Sequence, residues 1–137
     1  MAKIQLPAHI DNLRTLIQFV STFAKEKGFA QKRIQEIELA LEEALVNIAK
    51  YAYPDKNNGE VEVRCKMEND NRLVIEILDV GVPFDIRYFS EIDLNVNMVD
   101  RKIGGLGIFL IREMVDEVQY RRDKGNNILT FIVHKSD

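Results

Sequence analysis

Glu43-Ala44-Leu45-Val46-Asn47 is the stretch on which the reading of this chain turns. It lies inside a longer segment, from about Gln31 to Ala52. There the apolar positions Ile34, Ile37, Leu41, Ala44, Leu45, Ile48 and Ala52 recur every three or four residues. Such spacing marks one helical face turned towards a core, and no other periodicity in the sequence is as clear. Glu43 and Asn47 fall off that stripe. Four residues apart on a helix, they are surface neighbours, so a carboxylate and a carboxamide converge. Exposed pairs of this kind usually mean only solvation. An asparagine in mid-helix still asks for a reason, because its side chain competes with the backbone for hydrogen bonds. Glu42 adjoins Glu43 and points elsewhere, and stays open as the alternative carboxylate.

The neighbouring elements follow outward from this helix. Before it, Lys3 to Leu6 reads as a short strand closed by Pro7. A first helix then begins near Asp11, with Leu13, Leu16, Ile17, Val20 and Ala24 at helical spacing. Gly28 ends it. After the central helix, Pro54-Asp55 and Asn57-Asn58-Gly59 mark turns. Val61, Val63, Cys65 and Met67 alternate with Glu62, Arg64 and Lys66, the pattern of a half-buried strand. Glu68-Asn69-Asp70-Asn71 reads as a hairpin turn, and Leu73 to Leu78 as the next strand. Residues 84–103 show no regular pattern, which in a compact domain suggests a functional loop or lid. Leu106 to Val115 reads as a third helix. Val118 to Arg122 and Ile128 to His134 form a closing hairpin around Lys124-Gly125-Asn126. This order predicts an α+β, two-layer sandwich: an antiparallel or mixed, mostly antiparallel sheet with helices on one face.

Two further motifs carry chemistry. Asp79-Val80-Gly81-Val82-Pro83-Phe84 follows the second strand of the hairpin. Period two puts Asp79 on the face of Leu73, Ile75 and Ile77, and a carboxylate facing a core needs donors. An adenine amino group would be one; a turn closed onto its own backbone is the other reading. Gly104-Gly105-Leu106-Gly107 opens the third helix. Glycines permit close approach, and free N–H groups at a helix start attract anions. The same glycines could equally be a flexible helix entry. Arg101 and Lys102, just upstream, are candidate phosphate contacts. Taken in order, the three motifs describe a nucleotide site.

Composition narrows the classes. The chain has 137 residues, 46% hydrophobic and 30% charged, which fits one soluble globular domain spanning 1–137. A formal net charge of -3 provides no basic field for nucleic acid or acidic membrane. The single cysteine, Cys65, lies in an alternating apolar set and reads as a packing residue. It has no disulfide partner and no cysteine-histidine cluster for zinc. His9 and His134 have no serine or cysteine partner motif. No segment approaches membrane-spanning length or resembles a signal peptide. The expected compartment is the cytoplasm.

The three motifs resemble those of the ATPase superfamily shared by DNA gyrase, heat-shock chaperone ATPases, histidine kinases and the mismatch-repair MutL proteins (GHKL). Glu43 to Asn47 is similar to its N box, Asp79 to Phe84 to its first glycine box, and Gly104 to Gly107 to its second. Within the superfamily the chain is most similar to the small bacterial anti-sigma-factor serine kinases, over nearly its whole length. Pro83 followed by Phe84-Asp85, and Gly105-Leu106-Gly107-Ile108 leading to Val115-Asp116-Glu117-Val118, carry that likeness.

The resemblance implies a histidine-kinase-like ATPase fold with ATP between sheet and helices under a lid. It implies Glu43 as base, Asn47 as magnesium ligand and Asp79 as adenine reader. Gly81 would support the adenine pocket, and Gly105 and Gly107 would receive phosphates. Thr130 would match a threonine assisting adenine, although Gly125-Asn126-Asn127 departs from the glycine-threonine pattern usual nearby. ATP and magnesium are thus the expected cofactors. The expected partners are a sigma factor, a small anti-sigma-factor antagonist as phosphorylation substrate, and a second copy in a homodimer. Two other readings stand beside the kinase: an ATP-sensing interaction module without catalysis, and a detached histidine-kinase ATPase domain. Intact Glu43 argues against the first. Pro83 and the lack of a phosphoacceptor helix argue against the second.

Overall fold

The computed structural model describes residues 1–53, 59–83 and 105–136, with 105–109 as backbone only. The lid expected at 84–103, with Gly104 and the turn at 54–58, lies outside the described residues.

Among the described residues five strands form one sheet: β1 (Ala2–Pro7), β2 (Glu60–Met67), β3 (Arg72–Asp79), β4 (Glu117–Asp123) and β5 (Asn126–His134). Their order is β1-β2-β3-β5-β4. Every described pairing is antiparallel, so of the two sheet types expected the antiparallel one is realised. Among the described residues three α-helices accompany the sheet: α1 (Leu13–Glu26), α2 (Gln31–Asn47) and α3 (Gly105–Met114). A 3-10 turn, Ile10–Asn12, leads into α1, so Asp11 precedes the helix proper.

The apolar stripes read from the sequence form the core. Leu16, Val20, Ile37, Leu41 and Leu45 from the helices meet Ile75, Ile77 and Phe131 from the sheet, all buried at 1% exposure or less. Alternation decides which sheet residues reach them. Leu73, Ile75 and Ile77 of β3 and Leu129, Phe131 and Val133 of β5 belong to this core. Ile128, Thr130 and Ile132 alternate with the latter and point to the other face. Cys65 is fully buried in the core as expected, and burial pushes its thiol up to about 12.

Two local features hold the site's elements in place. Arg33, in the first turn of α2, donates Nε to the His134 carbonyl (2.9 Å) and Nη1 to the Met114 carbonyl (3.1 Å) and Glu36 (2.8 Å). It also pairs with Asp116. One guanidinium therefore joins the start of α2 to the end of α3 and to β5. The closing hairpin turns on two residues with positive φ, Lys124 (52°) and Gly125 (85°). Such turns suit the twist of paired strands, and this one fixes the register Arg122↔Asn127.

Candidate functional site

An apolar-walled cavity lies where the C-terminal end of α2 meets the end of β3. Ala44, Asn47, Ile48, Tyr51 and Ala52 line it from the helix side. Asp79 and Val82 close it from β3, Ile111 from α3, and Tyr120, Asn127 and Leu129 from the hairpin. It joins predominantly apolar walls to a few convergent polar groups, the usual makeup of a small-molecule site.

Asn47 is the last α-helical residue of α2, and the helical path runs on from it to Ala52, as the sequence pattern implied. A π-helical turn, Ile48–Ala52, follows it directly. Single π turns inside helices are frequent at functional sites. This one is tied to the strand end opposite. The Val82 N–H donates to the Ala52 carbonyl (2.8 Å), and the Val80 N–H donates to the Tyr53 hydroxyl (3.0 Å). The same hydroxyl donates to the Glu60 carbonyl (2.7 Å). Gly81 is required by this closeness: a Cβ there would stand 2.2 Å from the Ala52 carbonyl oxygen.

Asp79 is 6% exposed. Both turn and core readings of it hold at once. Its Oδ1 accepts the Gly81 N–H (2.8 Å), closing the local turn, and also accepts Asn127 Nδ2 (2.9 Å) from the neighbouring strand. Burial raises its pKa, against the lowering effect of these two donors and of Arg122. Register explains the grouping. Asp79 pairs with Asn127 and Asn127 pairs with Arg122, so the three stand in one row across three strands. Arg122 Nη1 reaches the Gly81 carbonyl (3.2 Å) and Asn127 Oδ1 (2.9 Å).

The structure thus brings Asn47, Asp79 and Gly81 together. Glu43 is half-buried on α2, one turn before Asn47, and does not line the cavity. Glu42 is exposed and lines a separate groove between α1 and α2 with Arg14 and Leu39. Of the two carboxylates only Glu43 shares the Asn47 side of the helix. Gly105 is the first residue of α3 and Gly107 lies in its first turn, where backbone N–H groups have no intrahelical acceptor. Thr130 stands opposite Glu76 and Gln119, on the sheet face away from the helices, and does not line the cavity. Asn127 and Leu129, three and one residues before it, line the cavity instead. Sequence reasoning missed Asn127 and Arg122; a pairing of Asp79 with the start of the last strand would have found both.

Among the described residues no cluster of three or more histidine, cysteine or carboxylate groups could hold a metal on its own. Asn47 offers one amide oxygen at the cavity wall. That fits magnesium, which commonly takes one or two protein ligands and completes its shell with phosphates and water. It does not fit a metal bound by protein alone.

The chain is similar to several known proteins. Serine-protein kinase RsbW of Listeria monocytogenes is 28% identical over 130 residues, covering 92% of this chain and 82% of that protein. The structure of the RsbU and RsbW domains of Rv1364c from Mycobacterium tuberculosis superposes with a TM-score of 0.65 at 15% identity. It covers 97% of this chain, which spans only 32% of that longer one. The SiaB-SiaC complex from Pseudomonas aeruginosa gives a TM-score of 0.64 at 12% identity, covering 98% of this chain and 89% of that one. The histidine kinase-like ATPase domain family matches residues 6–133. With that match over nearly all of its length, and with the fold and cavity described above, the chain belongs to the histidine kinase-like ATPase domain family.

Proposed function

We propose that this chain is an ATP- and magnesium-dependent serine kinase that restrains a sigma factor and phosphorylates a small anti-sigma-factor antagonist. The observation that carries the nucleotide part is Asp79: a buried carboxylate on an apolar cavity, with one oxygen engaged internally. A flat apolar base with an exocyclic amine matches that wall. Asn47 would hold magnesium, which would neutralise phosphate charge. Gly105 and Gly107, at the start of α3, would receive phosphates. Gly81 keeps the strand end against the π turn. Glu43 would accept the proton of the attacking serine hydroxyl. Phosphoryl transfer depends mainly on positioning and charge stabilisation, so this short list of groups is sufficient.

The kinase part rests on the likeness to proteins named serine-protein kinases, at moderate identity. A homodimer, a cytoplasmic location and a single domain over 1–137 belong to the same proposal. Among the described residues no helix is long and apolar enough to cross a membrane. Incubating the protein with ATP, magnesium and a small serine-bearing protein encoded beside it, followed by mass spectrometry, tests the reading. One phosphoserine in the partner is expected. A bound partner left unmodified would sink the kinase and favour a second reading. In that reading the chain is an ATP-sensing interaction module, and one observation favours it: Glu43 stands outside the cavity lining.

A further inference from the structure

Asn127 makes more hydrogen bonds than any packing role at the mouth of a hairpin would need. It is 4% exposed. Its Nδ2 donates to Asp79 Oδ1 (2.9 Å) and the Val82 carbonyl (2.8 Å), with the Gly81 carbonyl at 3.4 Å. Its Oδ1 accepts from the Tyr120 hydroxyl (2.6 Å) and Arg122 Nη1 (2.9 Å). The amide nitrogen therefore faces only acceptors. Its oxygen faces a guanidinium, which can only donate. A flipped amide would set its NH2 group against Arg122 and its oxygen against a carboxylate and two carbonyls. Charge alone fixes the orientation.

The consequence falls on Asp79. Both donors reaching it from the described residues go to Oδ1, so Oδ2 is the acceptor left for a ligand. A donor placed beside Oδ1 also favours the ionised carboxylate, which can only accept. We propose that Asn127 is the positioning residue that sets base selectivity, keeping Asp79 as an acceptor and so favouring a 6-amino purine over a 6-oxo purine. This inference rests on the nucleotide reading above and deepens it.

Asn127→Asp tests it with nearly the same shape. The new carboxylate still accepts from Tyr120 and Arg122, but it turns an acceptor towards Asp79. Two adjacent carboxylates share a proton, and Asp79 is then no longer purely an acceptor. Calorimetry with ATP and with inosine triphosphate, its 6-oxo counterpart, reads the effect. The ratio of the two affinities should fall at least ~10-fold, the scale of one mispaired buried group. A loss of fold rigidity alone would weaken both nucleotides together and leave the ratio unchanged. Should that variant fail to fold, Arg122→Met on the exposed edge strand is the second test, with a drop in the ratio of about threefold or more as Asn127 loses one of the two charged groups that orient it. A folded variant that keeps the wild-type ratio overturns the inference and leaves the nucleotide site standing. Wild-type protein that binds neither nucleotide overturns both.

Discussion

Replacing Asp79 by asparagine isolates a single atom of the proposed adenine site. In the native protein Oδ1 takes both donors that reach Asp79 from the described residues, from Gly81 at 2.8 Å and Asn127 at 2.9 Å. An asparagine can keep both with its own oxygen. Its NH2 group then occupies the place of Oδ2, so a donor confronts the adenine amine where an acceptor stood. The expected loss is that of a mispaired buried group, ~1–3 kcal/mol, or roughly 5- to 150-fold in affinity for ATP. The fold should not suffer. Burial raises the native Asp79 pKa above its ordinary 3.8. The folded state therefore binds that proton more tightly than the unfolded chain does. Its contribution is fully present below the ordinary value and is lost as pH rises through the raised one. The neutral side chain avoids that loss. Titration calorimetry with ATP, paired with urea unfolding at pH 4 and pH 7.5, reads both effects. Native and variant should differ in ATP affinity, while the variant gains relative stability at the higher pH. Equal affinity for ATP in a folded variant would refute the argument.

Two further outcomes follow from the cavity wall. Asn47→Ala should weaken ATP binding chiefly when magnesium is present and leave the fold intact, since Asn47 is only half-buried; calorimetry with and without the metal distinguishes this from a general loss. Gly81→Ala would place a methyl 2.2 Å from the Ala52 carbonyl oxygen. Backbone must shift to admit it, so urea unfolding should report a loss of about 1–3 kcal/mol, the scale of overpacking, with ATP binding impaired as the π turn and strand end separate.

Much of the fold was legible because its signals are local. The stripe from Ile34 to Ala52 and the alternation from Val61 to Met67 each follow from the period of one element, and the structure reproduces both. The turn residues Lys124-Gly125 likewise announce the last hairpin. What was not legible depends on register between distant segments. Asp79 and Asn127 stand 48 residues apart and meet only because β5 inserts between β3 and β4. A shift of one residue along β5 reverses the face, so the resemblance that pointed to Thr130 could not by itself show that Asn127 and Leu129 are the β5 residues on the cavity side. Arg33 was unremarkable in the sequence for the same reason: its carbonyl partners, Met114 and His134, are given by tertiary packing. The π turn after Asn47 keeps the apolar spacing of an ordinary helix, so periodicity alone continued α2 to Ala52.

In the proposed reaction Glu43, one helical turn from Asn47, serves phosphoryl transfer to a partner serine. Quenched-flow measurement of radiolabelled phosphate passing from ATP to a bound antagonist, in native protein and in Glu43→Gln, tests it most directly. The variant should bind ATP and partner as the native protein does but transfer phosphate at least ~100-fold more slowly, the low end of general-base contributions. Transfer at the native rate by Glu43→Gln would contradict the assignment and turn attention to Glu42.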